Sequence, residues 1–146
     1  MHTIRKAESN DCFLIAALAQ QLWPHHEATD LTEELSPLLT DSGAAVFLAF
    51  ASGSPAGFAQ CQLRHDYVEG TSSSPVGYLE GIYVAAAHRK TGIARALLSA
   101  CEAWAKEQGC TEFASDCELT NTDSLRFHLN VGFQEANRII CFAKQL

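Results

Sequence analysis

The chain has 146 residues, about one average domain of ~150, with 47% apolar and 18% charged residues and a mean hydropathy of −0.02. That balance fits a single folded domain over residues 1–146 and excludes a disordered chain. Ten basic against seventeen acidic residues leave a net charge of −7 with no Lys/Arg-rich run. This argues against a nucleic-acid partner and permits a cationic small-molecule substrate, which a negative cleft would concentrate.

Thr3–Ala7 opens the chain as a short strand. Ser9, Asn10 and Asp11 offer helix-capping chemistry before Phe13, Leu14, Ala17, Leu18 and Leu22, which recur at helical spacing and stop at Pro24. A weaker helical stretch runs from Leu31 to Leu39 and is interrupted by Pro37. The period then changes. Ala45–Ala51, the turn Ser52-Gly53-Ser54-Pro55 and the alternating Gly57–Leu63 form a hairpin signature. A loop over Asp66–Pro75 leads to a strand over Val76–Val84.

Helical spacing returns from Gly92 through Ile93, Leu97, Leu98, Cys101 and Trp104, with Gly109 as the stop. Thr111–Cys117 reads as a strand. Thr120 and Asp123 resemble a capping box that opens a helix through Leu125 and Leu129, ended by Gly132. Ile139–Ala143 is the expected final strand. The order β-α-α-β-β-β-α-β-α-β gives an α/β class with a mixed sheet (α+β mixed), flanked by helices.

The longest apolar runs, Phe13–Ala19 and Ala44–Ala51, fall short of the ~18 residues of a membrane span. The start of the chain, Met1-His2-Thr3-Ile4-Arg5-Lys6, lacks the apolar core of a signal peptide. No membrane partner and a cytoplasmic location are therefore expected. The six cysteines, Cys12, Cys61, Cys101, Cys110, Cys117 and Cys141, form no Cys-x-x-Cys pair and no zinc spacing with histidine. They read as reduced and structural, and no metal is expected.

Chemistry concentrates where the strand Tyr78-Leu79-Glu80-Gly81-Ile82-Tyr83-Val84 is followed by Arg89-Lys90-Thr91-Gly92-Ile93-Ala94 at the start of a helix. Unpaired N–H groups and the positive dipole end of a helix suit a phosphate. Gly92 lets the backbone approach it, and Arg89 and Lys90 add charge. The Gly-x-x-x-x-Gly-Lys-Ser/Thr and Gly-x-Gly-x-x-Gly patterns are both absent, against a nucleotidase P-loop and a dinucleotide fold.

Arg89-x-x-Gly92-x-Ala94 after that strand resembles the acetyl-CoA signature of the GCN5-related N-acetyltransferase (GNAT) superfamily. Asn121-x-x-Ser124-x-x-x-His128-x-x-x-Gly132-Phe133 resembles its second motif. Gln21-Leu22-Trp23-Pro24, Arg64-His65-Asp66-Tyr67-Val68-x-Gly70, Ser73-Ser74-Pro75-Val76, Leu79-Glu80-Gly81-Ile82 and Ala114-Ser115-Asp116 together resemble one branch, the aminoglycoside 6'-N-acetyltransferases (type I).

The resemblance implies the GNAT-like acyl-CoA N-acyltransferase fold, with a central, mostly antiparallel sheet. It implies acetyl transfer from acetyl-CoA to the 6'-amino group of aminoglycosides, hence antibiotic resistance. The pantetheine arm would pair with the backbone of Ile82, Tyr83 and Val84. The pyrophosphate would rest on the segment Arg89, Lys90, Thr91, Gly92, Ile93 and Ala94, and Asn121 would hold the arm from the other side. The implied acceptor residues are Trp23, His26, Tyr67, Glu80 and Asp116.

An alkyl ammonium must lose a proton before it attacks a carbonyl, so Glu80 and Asp116 are candidate proton acceptors. The sequence does not choose between them. His128 stands where many members carry a tyrosine, and its roles as acid, packed ring or CoA contact stay open. A homodimer is expected, because Ile139–Ala143 is apolar and relatives commonly pair through their sheets. The competing readings are a GNAT enzyme for another small or protein amine, and a non-catalytic acyl-CoA-binding module.

Overall fold

The period-two alternation of the strand segments becomes one sheet with its strands in chain order. In the computed structural model, which describes residues 2–146, β1 (His2–Lys6), β2 (Ala44–Ala51), β3 (Ser54–Arg64), β4 (Val76–Val84) and β5 (Phe113–Ser115) lie in the order β1-β2-β3-β4-β5. The first four pair antiparallel and β5 joins β4 in parallel. A parallel neighbour needs a crossover, and helix α3 (Ile93–Glu107) supplies it.

Each face of the sheet is closed by helices. On one side α1 (Cys12–Leu22) and α2 (Ala28–Leu35) pack Ile15, Ala19, Leu31 and Leu35 onto Val46, Leu48 and Phe58. On the other, α3 sets Ile93, Leu97, Cys101 and Trp104 against Ala45, Ala49, Ala59 and Cys61. Neighbouring residues of β2 and β3 thus serve opposite cores, as the pleat requires. Contact between β4 and α3 is close enough that a Cβ at Gly77 would sit 2.6 Å from the Ala105 Cβ.

Two features of β4 matter for function. Gln60 pairs with Gly81 and Cys61 with Leu79, so Glu80 is an extra residue, a β-bulge. In addition, β5 ends at Ser115 opposite Leu79. Beyond that point, at Glu80–Val84, the edge of β4 away from β3 has no strand beside it among the described residues.

Three expectations need correction. The helical stretch begins earlier than Leu31, at Ala28, and beyond Leu35 it tightens into a 3-10 turn over Ser36–Leu39 with Pro37 in its first turn. Helix α4 (Thr122–Asn130) is capped by Asn121, whose Oδ1 accepts the Ser124 N–H at 3.1 Å, and not by a Thr120–Asp123 box. Asp123 is exposed and faces Arg126 at 3.7 Å.

The third correction concerns the tail. Ile139–Ala143 forms no strand within this chain, and Ile139, Ile140 and Phe142 are 70%, 81% and 90% exposed. A strand exists only where its backbone groups find a neighbouring edge, and this segment pairs with none of the five strands. All six cysteines are free, with Cys117 and Cys141 exposed and the other four buried. Among the described residues no helix is long and apolar enough to cross a membrane.

Candidate active site

The bulge turns Glu80 into a cavity of about 350 Å³ between the sheet and the first two helices. Trp23, at the end of α1, forms one wall and packs on Phe58 with ring centroids 6.3 Å apart. Leu31 and Leu35 of α2 give it an apolar side, and Glu34, Gln60, Gln62 and Glu80 a polar one. On β3 the alternate residues Phe58, Gln60, Gln62 and Arg64 share this face, a period-two pattern that was present in the sequence but not read as site-forming. An apolar wall with a few convergent acceptors suits a cationic sugar-like molecule.

The two candidate carboxylates are joined by a chain of contacts. Arg64 donates from Nε and Nη2 to the two Glu80 oxygens at 3.0 and 2.9 Å. Its guanidinium carbon lies 3.4 Å from the centre of the Tyr78 ring. The Tyr78 hydroxyl in turn donates to Asp116 Oδ2, one residue beyond β5, which is shorter than the expected Thr111–Cys117. Burial, reinforced by the Asp116 carboxylate, holds the Tyr78 phenol well above its ordinary pKa, so it remains a proton donor to Asp116 at neutral pH. Tyr78 and Arg64 lacked any sequence signal for this role, because their pairing crosses two strand boundaries.

On the far side of β4 the loop before α3 is shaped for an anion. Lys90 and Gly92 adopt left-handed φ values of 62° and 86°, and α3 starts with Gly92 as its N-cap and no capping side chain. The first helical bond runs from Ala96 N–H to Gly92 O at 3.0 Å. The amide groups of Ile93, Ala94 and Arg95 therefore precede it and lack helical carbonyl partners. Thr91 Oγ1 donates to His88 O, and Arg89 Nε donates to Val84 O at 2.9 Å. Arg89 thereby ties the loop to the open end of β4.

Tyr83 contributes only backbone to that edge. Its ring lies toward α1 near Phe58, and its hydroxyl donates to Gln21 Oε1 at 2.7 Å. Asn121 uses its Oδ1 as the cap of α4, which leaves its amide nitrogen for another partner.

His128 is fixed by both ring nitrogens. Nδ1 lies 2.7 Å from the Ser124 carbonyl oxygen, which only accepts, so Nδ1 carries hydrogen. In the neutral ring Nε2 then accepts the Ser115 hydroxyl proton across 2.8 Å. The ring is flanked by Phe127 and Phe133, at 5.8 and 5.0 Å between centroids. Ser115 was not singled out as a site residue. Its position opposite Leu79 at the end of β5 places it where β4 and β5 part.

Two acceptor candidates stand apart from the cavity. His26 is exposed, with its N–H bonded to Trp23 O at 3.1 Å. Tyr67 lies in the loop after β3 with 76% of its surface exposed.

The Acetyltransferase (GNAT) family model matches residues 7–133. The chain belongs to the GNAT acetyltransferase family. It is 46% identical over 145 residues to an aminoglycoside N(6')-acetyltransferase type 1 of Stenotrophomonas maltophilia, covering 99% of this chain and 94% of that one. An enzyme of the same description from Acinetobacter haemolyticus is 42% identical over 129 residues, 88% of each chain.

Among solved structures, AAC(6')-Iy bound to the bisubstrate analogue CoA-S-monomethyl-acetylneamine superimposes with a TM-score of 0.95 at 37% identity, covering 100% of this chain and 99% of that one. AAC(6')-IG from Acinetobacter haemolyticus gives 0.93 at 37% identity over 99% of both chains. The observed sheet, mostly antiparallel and flanked by helices, is the GNAT fold expected from the motifs. Of the sequence candidates, this acetyltransferase brings Trp23, Glu80 and, through Tyr78 and Arg64, Asp116 to one side of β4. It sets the Arg89–Ala94 segment, Asn121 and His128 around the open edge.

Proposed function

We propose that this protein transfers the acetyl group of acetyl-CoA to the 6'-amino group of aminoglycosides and so confers resistance to them. The observation that carries the reading is the placement of Glu80. The bulge aims its carboxylate into the cavity lined by Trp23 and Glu34, directly beside the unpaired edge of β4. The relatives are aminoglycoside N(6')-acetyltransferases, and a carboxylate in this position serves the amine that such an enzyme acetylates.

The residues fit a CoA donor. The edge Ile82–Val84 offers backbone groups to a pantetheine arm as an added strand would. The uncapped amides at Ile93 and Ala94, with Arg89, Lys90, Thr91 and Gly92, suit a pyrophosphate. Asn121 has an amide nitrogen to donate to the same arm. The donor supplies an activated acetyl thioester, and the protein's contribution is chiefly to position the amine against it.

The amine arrives as an ammonium. Glu80 and Asp116 hold its charge, and one of them takes its proton directly or through water, while Trp23 packs on the sugar face. His26 and Tyr67 serve as outer contacts at the cavity approach. A CoA thiolate, with a pKa near ~8.5, leaves without much help. Because Nδ1 is held by Ser124, His128 reaches the leaving group only through the Ser115 hydroxyl.

The working form is a homodimer, supported by the exposed apolar tail around Ile140 and Phe142, and its location is the cytoplasm, where free thiols persist. The deciding test is thiol release from acetyl-CoA with a panel of aminoglycosides that includes a 6'-hydroxyl analogue. Turnover of the amines and not of the hydroxyl compound is expected. Equal turnover of simple polyamines would transfer the reading to another amine, and CoA binding without turnover would leave a binding module.

A further inference from the structure

The ion pair that occupies Glu80 has a function of its own. Arg64 engages both oxygens of the carboxylate the amine needs, and bidentate guanidinium pairs of this kind fix orientation as well as charge. Arg64 also lies flat on Tyr78, the residue bonded to Asp116. One guanidinium therefore aligns both carboxylates of the site. Its side chain is 42% exposed against 21% for Glu80, so the guanidinium sits on the solvent side of the pair. It is the last residue of β3, next to a loop.

We propose that Arg64 is a resident cation and positioning residue of the acceptor site, holding Glu80 and the Tyr78–Asp116 pair until the substrate ammonium displaces it from Glu80. This rests on the reading of that cavity as the amine site. An amine with one charge only exchanges one cation for another at Glu80. A polyamine whose second ammonium reaches Glu34 or Asp116 gains contacts that Arg64 does not make. The exchange thus favours polycations over simple amines of equal size.

The test follows the Arg64 Nε–H by nitrogen NMR on the full protein while kanamycin, spermidine or propylamine is added, beside kinetics and calorimetry of variants. Bound kanamycin is expected to shift or broaden the Nε–H signal, and Glu80→Gln to remove its hydrogen-bonded position. Arg64→Ala should bind kanamycin about two- to fivefold more tightly, the range of a partly exposed ion pair, and also tighten propylamine. Its kcat should fall about tenfold, because the Tyr78–Asp116 pair, which Arg64 still holds once it has left Glu80, loses its alignment. Arg64→Lys keeps the charge without the fork and should retain wild-type affinity with a lowered kcat.

Kanamycin acetylated at saturation with the Arg64 signal unmoved would overturn the proposal and leave the substrate reading standing. Spermidine moving the signal while kanamycin neither binds nor reacts would do the reverse. No response to any of the three amines, or weaker kanamycin binding in a folded Arg64→Ala, overturns the proposal too. If Arg64→Ala fails to fold, the wild-type titration and Arg64→Lys decide it.

Discussion

Asp11 ties the first strand to the first helix, and its removal has a pH signature. Arg5 donates to both Asp11 oxygens at 2.7 and 2.8 Å, and the Glu8 N–H adds a bond of 2.8 Å. The Arg5 hydrogen bonds outweigh the opposing effect of burial, and with the Glu8 amide they lower the Asp11 pKa from 3.8 to about 2. A lowering of nearly two units corresponds to a little over 2 kcal/mol at about 1.4 kcal/mol per unit. Since the Arg5 side chain is 47% exposed, solvent screening reduces this to about 1–2 kcal/mol.

The depressed pKa fixes the sign. This stabilisation is fully present above pH 3.8 and is lost as pH falls through about 2. Asp11→Asn should therefore unfold about 0.5–1 M earlier in urea at pH 7, taking a slope near 2 kcal/mol/M. The gap to the wild type should narrow as pH falls from about 4 toward 2. Urea unfolding followed by tryptophan fluorescence at pH 7, 5, 4 and 3 measures it. A gap that is the same at pH 7 and pH 3 would refute the charge argument, leaving lost packing as the cause.

Other perturbations separate the roles assigned above. Glu80→Gln and Asp116→Asn each remove one candidate acceptor, and the one that takes the proton should lower kcat by about 10²–10⁴ in thiol-release assays; equal, small losses would exclude both. Substituting His128→Gln should cost less than about tenfold in kcat, and a loss beyond about a hundredfold would make it a general acid. A Cβ at Gly57 would lie 2.5 Å from the Tyr83 oxygen and 3.2 Å from the Val84 Cα, so Gly57→Ala should cost about 1–3 kcal/mol. It should also raise the KM for acetyl-CoA more than that for the amine. Finally, Ile140→Asp should convert a dimer to monomers in sedimentation velocity, and unchanged mass would place the dimer contact elsewhere.

The long helices were legible because one face of each is buried, which imposes period 3.6, and β2 because both its faces are buried, which makes it a short apolar run closed by a turn. Val76–Val84 was read to the residue, and the helix from Gly92 to within one. The start of α4 was harder: Asn121, Thr120 and Asp123 are all capable of capping, and only backbone geometry selects Asn121. The tail misled for a different reason. Ile139–Ala143 has strand composition, but strand formation needs an edge that composition does not supply.

At the site, the family resemblance pointed to Glu80 and Asp116, and the strand–loop–helix pattern to the candidate anion loop. The family motifs contain Arg64 and Ser115 but give them no role, and their partners, like that of Tyr78, are distant in the chain, at 16, 13 and 38 residues. Such pairings depend on strand register, which local sequence patterns leave undetermined.

The bulge in β4 also separates scaffold from chemistry. Leu79 and Ile82 are three residues apart yet both pack toward α3, because Glu80 is inserted without reversing the faces beyond it. Deleting Glu80 would therefore restore an uninterrupted alternation, with Leu79, Ile82 and Val84 still in the core and Tyr83 still toward α1. The strand loses its carboxylate and keeps its packing. A protein with the same hydrophobic core and no carboxylate in the cavity lies one codon away, and Glu80 is an addition to a sheet that closes without it.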